Sequence, residues 1–403
     1  MKFTTPFIVA SLPFMALASP TAKGFSIPVT KRGSSFTQDG VVNMRALRAH
    51  LRHVATKYGA GHVKNTGSVH PATPNGVAHT SKRKTGVEAL ADVGQQGWYG
   101  NVSIGSPPVI FTTVFDTGSS DLFIPDISCE NCGQHTRYNS SSSSTSRDVG
   151  KSFNVTYAGG ASSSGQLYTD DVTVAGLKAK DQTLGSATNY APVFQTASTD
   201  GLLGLARPLL SRYNATPFFN TLIQQGCVRR SVFAFHLSEC GSSLRLGGTD
   251  ESIYKPPLTF NNVTSQLYWQ VNLDGVNVGR NRAVSGLSAI IDSGTTVIAG
   301  DPDTVGQFYQ AINGSAIFNT TDGFTFYSYP CSQDPQVSFT LNNVSYSIAS
   351  QYFNLGQVSE GSSHCLGCIA ALADFPVWIL GDRFMMNVYT GERSFHPPPD
   401  DIS

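Results

Sequence analysis

A chain of 403 residues is too long for one small core and long enough for two packed lobes with additional segments. Only 13% of its residues are charged, and the abundance of Gly, Ser, Thr and aromatics favours strands and turns over long helices. The net charge of zero hides two opposed pieces: residues 1–84 hold 12 Lys/Arg and one acid, a balance of +11, and residues 85–403 carry −11.

In chain order, residues 1–18 read as a secretory signal. Lys2 is the charged start, Phe7 to Leu17 a short apolar stretch, and Ala16-Leu17-Ala18 a small-x-small cleavage pattern. The run is too short to span a bilayer and Pro13 interrupts it; no later stretch spans one, and the tail is too polar for a lipid-anchor signal. A soluble, exported product is therefore expected.

Residues 19–83 read as a removable segment and linker. Met44, Leu47, Leu51 and Val54 fall near one helical face, with Arg45, Arg48 and Arg52 beside it. After Tyr58 the composition is that of an exposed linker, ending in Ser81-Lys82-Arg83-Lys84. The charge sign changes at this dibasic site, which favours docking of the basic piece on the acidic body over chance patterning.

The body reads as short strands between Gly, Ser and Asn turns, with one lobe over 84–250 and a second over 251–390. The pattern predicts helices near Pro217 to Gln225 and Pro302 to Ile312, and a surface loop over Ser140 to Ser144. Of seven cysteines, Cys129 and Cys132 are spaced to close a short loop. Cys331 has Cys365 or Cys368 as partner, and Cys227 with Cys240 is a weaker pair. The two C-x₂-C pairs are too far apart for a zinc ribbon, so no metal site is expected. Eight N-x-S/T sequons, at Asn101, Asn139, Asn154, Asn214, Asn262, Asn313, Asn319 and Asn343, fit a glycosylated surface.

The most informative feature is an internal repeat. Val114-Phe115-Asp116-Thr117-Gly118-Ser119 is echoed by Ile290-Ile291-Asp292-Ser293-Gly294-Thr295. Leu202-Leu203-Gly204 follows the first copy and Ile379-Leu380-Gly381 the second, at nearly equal spacing. Two lobes of one design follow from this. In each copy a buried strand ends in an Asp whose turn glycine lets backbone N–H groups approach the carboxylate. An Asp merely satisfied in a turn is the ordinary reading of one such motif; two copies inside a matched repeat weigh against it.

These two motifs, the two apolar-Leu-Gly echoes and Tyr157 between them resemble the pepsin-like aspartic proteases of the fungal secreted type, over most of residues 95–390. The resemblance implies an all-β, bilobal fold with an active cleft between the lobes. It implies that Asp116 and Asp292 meet across the cleft, and that Thr117 and Ser293 interlock the turns. Ser119 and Thr295 would bond the outer carboxylate oxygens, with Gly118 and Gly294 in the turns and Gly204 and Gly381 beneath. The stretch around Tyr157, Ala158 and Gly159 resembles the family's flap, although Ala158 and Gly159 depart from its usual residues. Phe123 stands where the family has Trp, so the usual indole bond to the flap Tyr is lost. The disulfides expected in an exported chain are Cys129 with Cys132 and Cys331 with Cys365. Lys57-Tyr58 resembles the pair whose ammonium lies between the two aspartates in family precursors, and Phe25 to Val29 would add a strand to the body.

The expected activity is that of an exported acid endopeptidase made as a zymogen, extracellular or vacuolar. It would act as a monomer on polypeptides and on its own propeptide, with no cofactor, nucleic acid or membrane partner. The alternatives are a catalytically silent binding protein on the same fold and a truncated homologue. The latter arises because residues 391–403, with Pro397-Pro398-Pro399, lack the family's closing pattern, so the closing strand is expected to be missing.

Overall fold

The structure, a computed structural model, describes residues 36–62, 83–92, 97–156 and 162–394. The expected signal segment, the strand expected at Phe25 to Val29, Tyr157 to Gly159, Lys82 and the triple proline all lie outside these residues.

Short strands dominate, and three sheets organise them. An eight-stranded sheet gathers strands between Ala91 and Gly204. A thirteen-stranded sheet gathers those between Gln270 and Leu380, with the short strands Thr37–Gln38 and Val41–Val42 added at one edge. A four-stranded sheet runs in the order Tyr389–Arg393, Val232–His236, Ser243–Leu246, Gly86–Ala89. The molecule is all-β and bilobal, as the motif repeat implies.

The repeat has a structural counterpart. Val109–Asp116 pairs in parallel with Gly201–Gly204, which also pairs antiparallel with Leu122–Pro125. In the second lobe Asn281–Ile291 pairs in parallel with Trp378–Leu380, which pairs antiparallel with Ile298–Gly300. Side-chain periodicity explains the burial. Trp98–Ile104 buries alternate residues, as a strand at the margin of a core does, whereas Leu122–Pro125, Gly201–Gly204, Ile298–Gly300 and Trp378–Leu380 are buried throughout. Those doubly covered strands set the two aspartates at the floor between the lobes.

Among the helices, α1 spans Met44–His62 and turns Leu47, Leu51, Val54 and Tyr58 into the core. Phe218–Gln224 and Pro302–Gln310 match the two helices predicted in the body. The expected loop at Ser140 contains one 3₁₀ turn, Ser140–Ser142, capped by the Asn139 side chain. Disulfides join Cys129 to Cys132 and Cys331 to Cys365, while Cys227, Cys240 and Cys368 are free thiols. No helix among the described residues is long and apolar enough to cross a membrane.

One expected boundary shifts. A strand follows Gly381: Tyr389–Arg393 lines up on Val232–His236, with Ala234 opposite Gly391 and Phe233 opposite Glu392, whereas the final closing strand expected to be missing would fall beyond residue 394, outside the described residues. Tyr389–Arg393 crosses residue 391, where an irregular tail was expected to begin. The sequence Tyr-Thr-Gly-Glu-Arg has no apolar alternation, and only Glu392 in it is buried. Its backbone partner therefore sets the conformation, and local propensity does not.

Candidate active site

The strand ending at Asp116 and the strand ending at Ile291 deliver the two Asp-Thr/Ser-Gly turns to the same point. In each turn the glycine N–H donates back to the aspartate: Gly118 N to Asp116 Oδ1 at 2.9 Å and Gly294 N to Asp292 Oδ1 at 3.0 Å. The hydroxyl three residues on donates to the other oxygen: Ser119 Oγ to Asp116 Oδ2 at 2.5 Å, and Thr295 Oγ1 to Asp292 Oδ2. Each carboxylate is thus fixed in rotation before anything else binds it.

The turns are locked to each other. Thr117 N donates to Ser293 Oγ at 3.1 Å and Ser293 N to Thr117 Oγ1 at 3.0 Å. The two hydroxyls donate onward to backbone carbonyls of the opposite lobe, Thr117 Oγ1 to Ile291 O at 2.9 Å and Ser293 Oγ to Phe115 O at 2.8 Å. Four bonds around an approximate two-fold axis make relative movement of the aspartates costly.

The need for glycine here is steric. A Cβ at Gly294 would lie 2.1 Å from Asp116 Oδ1, and one at Gly118 would lie 2.6 Å from Asp292 Oδ1. Beneath, a Cβ at Gly204 would meet Asp121 N at 2.5 Å, and one at Gly381 would meet Thr295 O at 2.0 Å. The motif glycines of both strands are therefore positions of close backbone approach.

Helix α1 occupies the space above the pair. Lys57 Nζ lies 2.5 Å from Asp116 Oδ1 and 2.9 Å from both oxygens of Asp292. Its side chain is buried. Tyr58 donates its hydroxyl to Asp292 Oδ2 at 2.7 Å, with its ring against Tyr268 and Phe375.

The electrostatics are asymmetric. Burial pushes Asp116 upward and the neighbouring Asp292 charge adds to this, outweighing Lys57 and Ser119, so its net shift is up. Burial also opposes ionisation of Asp292. There, however, Lys57, Thr295 and Tyr58 together prevail and hold the carboxyl well below its usual range. Lys57 loses solvation, yet its two carboxylate partners raise its pKa above the ordinary value. One ammonium thus faces two carboxylates of unequal acidity.

Beside Asp116 a pocket is walled by Phe123, Phe194, Leu202, Leu210 and Tyr213, with Asp121 also lining it. Phe123 is buried and edge-on to Tyr190 and Phe194, so the ring at this position packs into the pocket wall. Tyr157, Ala158 and Gly159 lie outside the described residues.

Sequence reading missed two contributors. Tyr58 was noted for its pairing with Lys57, not as a donor to Asp292. His50 accepts the backbone N–H of Thr296 through Nε2 at 3.0 Å. The signal for it was a second helical stripe, His50, His53 and Lys57 at i, i+3 and i+7.

Comparison with known proteins agrees with this geometry. The family model for eukaryotic aspartyl proteases matches residues 97–391. The chain is 35% identical over 393 residues to an aspartic protease of Phaffia rhodozyma, covering 95% of this chain and 92% of that protein. It is 37% identical over 331 residues to cathepsin D of Canis lupus familiaris, covering 75% and 79%. It is 35% identical over 320 residues to cathepsin E of Mus musculus, again covering 75% and 79%. With two Asp-Thr/Ser-Gly turns interlocked across two β lobes and a match over most of its length, the chain belongs to the eukaryotic aspartyl protease family and is an endopeptidase of the aspartic type.

Proposed function

We propose that the chain is the exported precursor of an acid endopeptidase in which Asp116 and Asp292 share one proton, and that residues 19–83 are its inhibitory propeptide. The observation that carries this reading is the single Lys57 ammonium within 2.9 Å of both carboxylates, supplied from upstream of a dibasic sequence.

With the propeptide gone, two carboxylates this close do not both ionise cheaply, as in other aspartic proteases. The ionised member takes a proton from a water molecule as it attacks the scissile carbonyl. The protonated member donates to the carbonyl oxygen, and the roles exchange as the amide nitrogen is protonated and leaves. The proton belongs to the pair and is not assigned to one oxygen. Ser119 and Thr295, which donate to the outer oxygens, leave the inner ones for water and substrate. The apolar pocket lined by Phe123, Phe194 and Leu202 favours a bulky apolar side chain of the substrate.

While Lys57 is in place it favours the charged form of both carboxylates and occupies the position of the water, so the precursor is silent. The test is peptide cleavage by the purified, processed protein. Cleavage near pH 4 that a pepstatin-type statine inhibitor abolishes is expected. Activity that is insensitive to such an inhibitor, or that is highest at alkaline pH, would overturn the mechanism.

A further inference from the structure

Lys57 explains how the propeptide silences the dyad but leaves open which groups detach it. The second stripe of α1 supplies a candidate. His50 Nε2 lies 3.0 Å from the backbone N of Thr296. That N–H has its proton directed at the ring, so the nitrogen there must carry a lone pair. The bond exists only for a neutral imidazole; an imidazolium would set two protons against each other. Thr296 follows Thr295, the residue that holds Asp292, so this bond ties α1 to the catalytic turn itself.

The groups facing the ring also resist a charge. On α1, His53 and Lys57 both repel one. From the segment before α1, the Phe36 ring packs edge-on at 5.5 Å and offers no charge. From the second lobe, Thr296 presents its N–H, and Asp292 is the carboxylate whose field favours protonation. Asp292 is already engaged by Lys57 and Tyr58.

We propose that His50 is a proton-sensitive latch, which docks α1 onto the Thr296 backbone while neutral and helps expel α1 when acid protonates it. This rests on the reading of residues 19–83 as an inhibitory propeptide. Enclosure of the ring, with the His53 and Lys57 charges, lowers the docked pKa to about 3, whereas a released histidine titrates near ~6.5. The sign follows by linkage. Between those values the released state holds a proton that the docked state lacks, so docking weakens about tenfold for each pH unit of acidification. Above that window the latch is closed. His53, lowered to about 4 by burial and Lys57, carries the same sign.

The experiment compares full-length wild type with His50→Gln and His50→Phe. A Gln amide oxygen accepts the Thr296 N–H without titrating. A Phe keeps the ring contact with Phe36 but cannot accept. Amide exchange over residues 44–56, corrected for intrinsic rates and read within seconds of a pH jump, reports undocking before any cleavage. Self-processing is followed in parallel. His50→Gln is expected to stay docked at pH 4–5 and to process at least tenfold more slowly there. His50→Phe is expected to open more readily at pH 7 and to respond less steeply to acid. If both variants, or whichever of them folds, undock with the wild-type pH dependence, the latch is wrong. The mature product is the same polypeptide in every case. Loss of inhibitor-sensitive cleavage by all mature products would therefore overturn the protease reading, whereas the exchange data judge the latch alone.

Discussion

Asp116 and Asp292 share a lysine but differ in what else they accept. Asp292 takes bonds from Lys57 on both oxygens and from Tyr58, Thr295 and Gly294. Asp116 takes one bond from Lys57 and is completed by Ser119 and Gly118. Removing the ammonium should therefore return the pair to a shared-proton state. The precursor Lys57→Ala is expected to begin self-processing about one pH unit or more above wild type, because no cation then holds both charges. The pH of half-processing measures this, and an unchanged value would mean that Lys57 does not inhibit. The sign is that of a depressed carboxyl: the Asp292 contribution to docking is full above the ordinary carboxylate range and is lost as pH falls through it. Gly294→Ala is a steric counterpart. Its Cβ would lie 2.1 Å from Asp116 Oδ1, so the carboxylate must move, and kcat of the processed variant is expected to fall by roughly 100-fold or more. Near-wild-type kcat would show that the turn relaxes freely.

At the scale of elements, the strand Tyr389–Arg393 carries an unusual group. Glu392 is buried opposite Phe233, and burial pushes its carboxyl up to about 8. The unfolded chain ionises a glutamate near ~4.3, so between these values the unfolded state releases a proton that the folded state keeps. Stability is therefore intact at acid pH and falls by roughly 1.4 kcal/mol per pH unit on the way to neutrality. Glu392→Gln is expected to flatten this slope, raising Tm at pH 7 and leaving it near wild type at pH 4. Equal effects at both pH values would show that the carboxyl is not protonated in the fold. This strand also marks the limit of sequence reading. The doubly buried strands and the two Asp turns were legible because apolar runs and glycines at close-approach positions leave a local trace. Tyr389–Arg393 left none, since only its backbone is used in pairing. His50 left only the trace of a shared helical stripe with His53 and Lys57, since a histidine accepting one backbone N–H has neither an apolar nor a charged signature.

For the whole molecule, the opposed charges of +11 and −11 acquire a contact geometry. Arg52 pairs with Asp322, and Arg48 donates to Asn319 at 3.1 Å, both on the strand pair Ala316–Thr321 and Phe324–Pro330 or the turn joining it. These surface contacts are worth little singly and lie within reach of salt, whose Debye length shrinks from about 10 Å at 0.1 M to about 3 Å at 1 M. The buried Lys57 contacts are screened far less. Raising the salt to about 1 M at pH 5 is expected to speed self-processing several-fold, read as the rate of mature band formation. A rate indifferent to salt would confine docking to the buried contacts. The bilobal plan was readable from the matched spacing of two motifs, and the Lys57 bridge between the aspartates from the Lys57-Tyr58 resemblance, whereas the arginine contacts of α1 were not, because their partners are distant in sequence.

All of this depends on Asp116 and Asp292 acting as one catalytic unit. The most direct measurement is kcat/KM of the processed protein for Asp116→Asn, Asp292→Asn and the double variant, against wild type. The expected result is a loss of roughly 10³-fold or more in each single variant, with little further loss in the double, because members of a unit do not contribute independently. Substantial activity in either single variant, or losses that multiply in the double, would contradict a shared dyad.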